Sequence, residues 1–306
     1  MHTFQPEIIL IGAAIVDVLV RPADAEVFRT GSYPAEEICM SVGADALNEA
    51  TILARRGRKI ELQTVIGADT AGKLIRQHCR DNGIWVDASC IRKEQTTGIN
   101  VVLVGEDGSR SFLTNPHGTL RSLALPDIRM PFAKSAEIVC FASIFVFPKL
   151  GAAEMAQIFA QVKAQGKVLC ADMTKRKNRE TAEDMAEALA YIDYLLPNDE
   201  EALLLTGEDS VEGAAERLKA TGVGNVIIKC GKRGCYCRTE TERFWVPAEE
   251  GVRCIDTTGA GDSFAAGFLD ALADGRTLRE CAAQGNRWGA QAVQHMGATE
   301  WTLAKE

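Results

Sequence analysis

From residue 136 onward the chain alternates between short apolar runs and longer amphipathic segments. The runs at 138–143, 168–173 and 225–229 are typical of buried strands, and 151–165 and 211–220 are typical of helices. Shorter segments at 184–190, 194–196 and 200–205 continue the same order of helix, strand and helix. Regular alternation of this kind predicts an α/β fold, in which helices cover both faces of a mostly parallel sheet.

Three polar clusters follow predicted strands in this half of the chain. They are Asp172-Met173-Thr174-Lys175-Arg176, Asn198-Asp199-Glu200-Glu201 and Lys229-Cys230-Gly231-Lys232-Arg233-Gly234. Ligands of open α/β sheets bind beyond the carboxyl ends of the strands. The clusters therefore predict a binding site along that edge of the sheet.

A run of small residues, 256–263, leads directly into the apolar, alanine-rich segment after Phe264. Such a helix start exposes unpaired backbone N–H groups and the positive end of the helix dipole, which together form an anion site that suits phosphate. Asp262 lies in the predicted first turn, where a carboxylate would repel a phosphate that is only bound. It is better suited to take a proton from a hydroxyl that attacks the phosphate. The run predicts phosphoryl transfer.

Two other phosphate-binding patterns are incomplete. Gly12 follows an apolar strand, but the second and third glycines of a dinucleotide fingerprint are missing. Residues 67–73 fit the spacing GxxxxGK, but Leu74 stands where a P-loop has Ser or Thr. We interpret Asp69 or Thr70 as the cap of a helix over 71–82.

The first half of the chain supplies candidates for an acceptor pocket. Asp17 interrupts an apolar run, and it is either an edge-strand acid in water or a carboxylate that holds two hydroxyls of a polyol. Asn48 lies on the apolar face of a predicted helix, where it needs a partner or a ligand. Residues 97–104 and 110–115 flank the turn residues Glu106-Asp107-Gly108, which predicts a hairpin with both faces covered.

Charge and cysteine usage limit the partners and the compartment. The net charge of −8 and the pI of about 5.3 argue against nucleic acid or an anionic membrane as a principal partner. No apolar run approaches the length of a membrane span, and the first residues lack the features of a signal peptide. The ten cysteines are scattered, and several lie inside apolar runs, which predicts buried free thiols and a cytoplasmic location.

These motifs together resemble the PfkB (ribokinase-like) family of carbohydrate kinases. The resemblance spans residues 8 to about 299 and rests on Gly43-Ala44, Asn48, Ala50, Gly57, Gly67, Asn198-x-x-Glu201, Gly231-x-x-Gly234 and Asp256-Thr257-Thr258-Gly259-Ala260-Gly261-Asp262. It implies one ribokinase-like, three-layer αβα domain over 1–306. It also implies a small β-sheet lid, built from segments near 13–42 and 96–118, which commonly forms a homodimer face.

The resemblance implies a role for each matching position. Asp262 is the catalytic base, and the backbone of Gly259, Ala260 and Gly261 stabilises the transferring phosphoryl group. Asn198 and Glu201 organise a hydrated Mg²⁺, while Lys229, Gly231, Gly234 and Asn286 contact ATP. The acceptor side is implied at Asp17, Gly43, Ala44, Asp45 and Asn48, with Arg110 on the lid as a further candidate. Asp256 and Thr258 match a site that binds a monovalent cation such as K⁺ in some members.

We therefore expect an ATP-dependent kinase that phosphorylates a hydroxyl of a ketose or related sugar. An acid sugar of the 2-keto-3-deoxygluconate type, a phosphosugar and a nucleoside are alternative acceptors. A catalytically silent sugar-binding regulator is the alternative from another class, although the intact Asp262 counts against it. Ala44 stands where relatives usually have a second glycine, and no acid lies near 142–143, which argues against ribose.

Overall fold

The computed structural model describes residues 4–107 and 109–304, and its larger sheet has eight strands. These are β1 (Ile8–Ile11), β4 (Ile60–Gln63), β9 (Ile138–Ile144), β10 (Val168–Met173), β11 (Tyr194–Leu195), β12 (Asn225–Lys229), β13 (Cys235–Arg238) and β14 (Arg243–Val246). Their order is β14-β13-β12-β11-β10-β9-β1-β4, parallel from β4 to β12 and antiparallel for β13 and β14. The predicted mostly parallel sheet is confirmed.

Two apolar layers cover this sheet because its central strands have no polar face. In β1, Ile9 and Ile11 point into one hydrophobic cluster, whereas Ile8 and Leu10 point into the other. Successive side chains of a strand point to opposite faces, so these four residues give each face of the sheet two apolar side chains. The result is the predicted three-layer αβα arrangement.

The helices on the two faces come from different parts of the chain. One cluster contains residues of α4 (Ala152–Ala164), α5 (Ala186–Leu189), α6 (Asp199–Thr206) and α7 (Val211–Ala220). The other contains residues of α2 (Asp45–Arg55), α3 (Thr70–Asp81), α8 (Ala260–Ala273) and α9 (Leu278–Ala292). Helices α8 and α9 pack closely because Gly267 and Gly285 have no side chains between them.

A second sheet of four strands, here called the small sheet, has the order β3-β2-β7-β8. Its strands are β2 (Ile15–Arg21), β3 (Glu37–Gly43), β7 (Ile99–Val104) and β8 (Arg110–Thr114), and the one-turn α1 (Val27–Thr30) lies between the first two. The β7–β8 pair is the predicted hairpin, although Gly108 of its turn lies outside the described residues. Asp17 lies on an interior strand and not on an edge.

Residues 67–73 have a structural role instead of phosphate binding. Asp69 caps α3 by accepting from the backbone N–H of Gly72 at 2.9 Å, as predicted. Gly67 ends the short strand β5 (Ile66–Gly67), which pairs with β6 (Ile91–Arg92). A side chain on Gly72 would collide with the carbonyl oxygen of Gly67. Close packing explains both glycines.

The cysteines agree with the sequence prediction. All ten are free, and eight of them are buried; Cys39 and Cys254 are exposed. Among the described residues, no helix is both long and apolar enough to cross a bilayer.

Candidate active site

The N-terminus of α8 has the backbone geometry of an anion site. Gly259 is its N-cap, with a left-handed φ of 70°, and a Cβ there would lie 2.6 Å from Ala298. Only glycine therefore fits this turn without strain. The N–H groups of the first turn have no acceptor within the helix. The 14-residue helix directs these donors and its positive dipole end to one point.

Asp262 lies in this first turn, and its carboxylate is held from across the chain. Asn48 Nδ2 donates a hydrogen bond of 2.7 Å to Asp262 Oδ2. Burial and, next, the Asp45 carboxylate raise the pKa of Asp262 to about 7, while Asn48 and Lys229 act in the opposite direction. A carboxylate with a pKa near neutrality is suited to general-base catalysis.

The turn between β3 and α2 places the predicted acceptor residues. Ala44 is the N-cap of α2 and has φ 81° and ψ 151°, a conformation that is essentially restricted to glycine. Asp45 and Asn48 follow in the first turn, on the side of the helix that faces Asp262. Asp45 accepts a hydrogen bond from the Ser143 hydroxyl at the end of β9.

Asp17 lies against the same turn. A Cβ on Gly43 would collide with Asp17 Oδ2, so glycine is needed for this carboxylate to approach β3. Burial raises the pKa of Asp17; Asn100 opposes the shift by a hydrogen bond, and the Asp45 carboxylate adds to it. Neither Asp17 nor Asp45 forms a salt bridge within 4–107 and 109–304. The structure thus brings two carboxylates to the same turn.

Lys229 brings positive charge to the anion site and has a partner that the sequence did not identify. Its ammonium forms a buried salt bridge with Asp172 at the end of β10. A methyl group built on Gly261 would lie 3.6 Å from Lys229 Nζ. Burial alone would lower the pKa of Lys229, but Asp172, Glu201 and Asp262 outweigh it and raise the pKa. The lysine remains charged beside the first turn of α8.

Asn198 and Glu201 form a capping box at the start of α6. Asn198 Oδ1 accepts from the backbone N–H of Glu201, and Glu201 Oε2 accepts from that of Asn198, both at 2.8 Å. Burial raises the pKa of Glu201, although Lys229 opposes this. Within the described residues, no cluster of three or more His, Cys, Asp or Glu has the arrangement of a metal site.

The remaining predicted nucleotide residues lie in and near the β12–β14 region. Gly231 and Gly234 bound the tight turn between β12 and β13, with φ values of 55° and 88°. Asn286 is buried, and its Nδ2 donates to the carbonyl oxygens of Val246 and Pro247, each at 3.0 Å. Both of its side-chain donors are thus bonded to the protein itself.

Arg110 contacts the loop before α8 and not the acceptor residues. Its Nη2 donates to Asp256 Oδ1 at 2.6 Å, and its Nη1 donates to Thr258 Oγ1 at 2.7 Å. The guanidinium therefore links β8 of the small sheet to the start of the glycine-rich turn. The substrate contact expected of Arg110 stays a prediction beside this link.

Glu49 is a buried acidic residue near the site that the sequence pattern did not identify. Its side chain is fully buried, with Cys140 Sγ at 3.8 Å from Oε2, and Oε1 has no hydrogen-bond partner in the part of the chain that the structure describes. Burial, assisted by Asp172, Asp262 and Asp45, raises its pKa well above the usual range. Helical periodicity could not reveal it, because both Asn48 and Ala50 beside it are buried as well.

Residues 5–305 match the family model described as pfkB family carbohydrate kinase. The chain belongs to this family. It is therefore a phosphotransferase with an alcohol group as acceptor, as the sequence predicted.

Among curated proteins, this pfkB family kinase is similar to a 2-dehydro-3-deoxygluconokinase from Haemophilus influenzae, with 27% identity over 87% of this chain and 90% of the relative. It is 30% identical to a fructoselysine 6-kinase from Shigella flexneri, over 84% of this chain and 91% of that protein. Among solved structures, a ribokinase from Thermotoga maritima matches with a TM-score of 0.80 and 24% identity, over 97% of this chain and 95% of the ribokinase. The structural likeness confirms the ribokinase-like fold.

Proposed function

We propose that the chain transfers the γ-phosphoryl group of ATP to a hydroxyl of a neutral sugar, with Asp262 as the base. The observation that carries this proposal is the position of Asp262, which lies in the first turn of an anion-binding helix and accepts a 2.7 Å hydrogen bond from Asn48. An acceptor hydroxyl beside Asp262 would therefore lie next to a phosphate bound at the helix N-terminus.

The chemistry follows from these positions. The acceptor oxygen forms a bond to the γ-phosphorus, its proton passes to Asp262, and the bond from phosphorus to the bridging oxygen breaks to release ADP. Backbone N–H groups of Gly259 and Gly261, with the Lys229 ammonium, stabilise charge on the phosphoryl oxygens, whereas the Ala260 N–H donates to the Thr257 carbonyl oxygen. The raised pKa of Asp262 keeps it basic enough to accept the proton near neutral pH.

The donor set at Asn198 and Glu201 is compatible with Mg²⁺ bound to the nucleotide. Mg²⁺ usually retains several waters and is held by one or two carboxylates together with substrate phosphates. The lack of a dedicated metal cluster in the described residues agrees with that mode. We propose Glu201 as the carboxylate that holds the ion through water; when bound, the ion neutralises phosphate charge.

The charge of the acceptor side supports a neutral sugar over the acidic alternatives. Asp17 and Asp45 have no cationic partner among the described residues and can each accept from sugar hydroxyls. They would repel a carboxylate or a phosphate on the acceptor. A sugar that bears a protonated amine is the second candidate, because the same two carboxylates would attract it. The similarity to a fructoselysine 6-kinase is consistent with that candidate.

We further propose that the small sheet is a lid over the acceptor and that its outer face forms a homodimer. Strand register puts Met40 and Leu113 on the face opposite Asp17, and Ile38 shares that face. Ile38 and Met40 are 69% and 66% exposed, an apolar surface that a second copy would cover. Light scattering on a variant with Met40→Glu tests this: we expect a monomer.

The free thiols support a cytoplasmic location.

ADP release from Mg-ATP with a panel of ketoses, amino sugars, acid sugars and nucleosides tests the kinase proposal. We expect turnover with a neutral or amine-bearing sugar and a loss of about 10²–10⁴-fold in Asp262→Asn, the usual share of a general base. Nucleotide and sugar binding should persist in this variant. Turnover that survives in Asp262→Asn would remove the residue from its role, and no turnover with any acceptor would favour a sugar-binding regulator.

A further inference from the structure

The contact between Arg110 and Asp256 joins two parts of the molecule that are 146 positions apart. Arg110 begins β8 in the small sheet and lies opposite Val104 of β7. Strand register puts Arg110 on the same face as Asn100 and Asp17. Val104 lies four positions beyond Asn100 on β7, a distance of about 13 Å at the usual rise per residue. One face of the small sheet therefore contacts both the acceptor side and the loop before α8.

Asp256 depends on these contacts because its carboxylate is almost fully buried. Its side chain is 5% exposed, and the ion pair with Arg110 is its salt bridge among the described residues. A buried carboxylate that loses its compensating cation is destabilised, because no water replaces the lost partner. Arg110 is therefore the cation that balances Asp256.

Asp256 and Thr258 are the side chains expected to bind a monovalent cation, and their contacts do not fit one. Asp256 Oδ1 accepts from Arg110, from the Thr258 N–H at 3.0 Å and from the Thr258 hydroxyl at 2.7 Å. Asp256 Oδ2 accepts from the Gly297 N–H at 3.0 Å. The Thr258 hydroxyl oxygen in turn accepts from Arg110. Each of these three oxygen atoms already accepts an N–H or O–H donor, and Asp256 Oδ1 accepts three, so the site as it stands is arranged around donors and not around a cation.

The loop held in this way leads directly into the anion site. Thr258 precedes Gly259, whose left-handed conformation sets the direction of the first turn of α8. The Ala260 N–H donates to the Thr257 carbonyl at 3.2 Å within the same loop. A change in the backbone at Thr258 would therefore shift the N–H groups that face the phosphoryl site.

We propose that Arg110 is a positioning residue that takes the place of a monovalent cation and links lid closure to the anion site. When the small sheet closes, the guanidinium reaches Asp256 and Thr258 and fixes the loop that sets the first turn of α8. When it opens, Asp256 loses its cation and the loop is free to move. This inference rests on the proposed role of that turn in phosphoryl transfer.

Hydrogen exchange of the full-length protein, in KCl and in choline chloride at equal ionic strength, tests the link without substrate. In Arg110→Met, we expect amides of 256–262 to exchange about tenfold faster in choline chloride, the effect of one lost charge-assisted hydrogen bond. KCl should slow this exchange by about threefold, as linkage predicts for a cation at about twice its Kd. The wild type should exchange equally in both salts.

Two further variants distinguish the link from a general loss of structure. Arg21→Met removes another arginine of the small sheet, at the end of β2, and should leave exchange at 256–262 unchanged. Arg110→Lys keeps the charge and should remain insensitive to KCl. Slower exchange of the wild type in KCl, or unchanged exchange at 256–262 in Arg110→Met, would overturn the proposal. Because these measurements need no turnover, failure of the kinase proposal would be detected separately, by ADP release.

Discussion

Asn48 Nδ2 lies 2.7 Å from Asp262 Oδ2, which joins α2 in the first half of the chain to α8 in the second. The two helices also pack against each other. Asn48 can therefore set the direction in which the Asp262 carboxylate points. The proposed acceptor side and the proposed phosphoryl side of the site meet at this hydrogen bond.

Asn48→Ala should lower kcat by about tenfold, the effect expected from losing one hydrogen bond to a charged group. It should also move the acid limb of the pH–rate profile to higher pH, because the Asn48 hydrogen bond lowers the pKa of Asp262. ADP release measured across pH checks both effects. Asn225→Ala is the control, since that amide donates to the Asp193 carbonyl at 3.0 Å on a different edge of the molecule. A lower kcat without a shifted limb would argue against this contact as the cause.

Asp45→Asn should move the acid limb in the opposite direction. The Asp45 carboxylate raises the pKa of Asp262, which is about 7, so a neutral side chain there lowers that pKa. A base must be ionised to act, and kcat/KM should therefore reach its plateau at lower pH in the variant. The exposed Asp209→Asn is the matched control. An acid limb at the same pH as in the wild type would show that another group sets it.

Asp262→Asn should stabilise the protein at alkaline pH. A carboxyl whose folded pKa is raised binds its proton more tightly in the native state, so it costs stability as pH rises from about 4 to about 7, and the cost stays constant above. Removing the charge should add about 1–3 kcal/mol to the free energy of unfolding at pH 8 and little at pH 4. Urea denaturation at both pH values measures this, with the exposed Glu212→Gln as control. Equal stability of wild type and variant at pH 8 would show that burial of the ionised Asp262 carboxylate does not destabilise the protein.

The sequence predicted the elements that depend on local patterns. Strand β12 and helix α7 have the predicted bounds, and α3 differs from the prediction by one residue at each end. The helix start at Gly259 was predictable for the same reason, because its geometry comes from Gly259 and the helix that follows it directly. In each case neighbouring residues determine the conformation.

Partners distant in the chain could not be predicted from local patterns. Lys229 was expected to meet phosphate, but its salt bridge to Asp172 depends on β10 and β12 flanking β11 in the sheet. The register of the small sheet likewise brings Arg110 to Asp256. Burial of Glu49 follows from the packing of α2 between the larger sheet and α8. These choices depend on tertiary packing, which spacing along the sequence does not contain.

Gly261→Ala should separate stability from catalysis. Gly261 is helical and the nearest obstacle to a methyl group is Lys229 Nζ at 3.6 Å, so alanine fits and helix propensity favours it by up to about 1 kcal/mol. The methyl group would nevertheless occupy the approach of a phosphate to Lys229, and kcat/KM for ATP should fall by about tenfold, or ~1.4 kcal/mol. Gly259→Ala is the contrasting variant, because its Cβ would lie 2.6 Å from Ala298. Thermal unfolding and ADP release of both variants check this; reduced stability of Gly261→Ala would contradict it.

Ala44→Gly should stabilise the fold although it removes a side chain at the start of a helix. Ala44 has φ 81° and ψ 151°, a strained conformation for any residue with a Cβ, and such strain costs on the order of 1–3 kcal/mol. Glycine relieves the strain but loses about 0.5–1 kcal/mol through the entropy of the unfolded chain. The net gain should be about 1 kcal/mol in urea denaturation. Ala50→Gly, in the buried interior of the same helix, has no strain to relieve and should lose about 1 kcal/mol. Destabilisation of both variants to the same extent would show that the backbone of Ala44 is not strained.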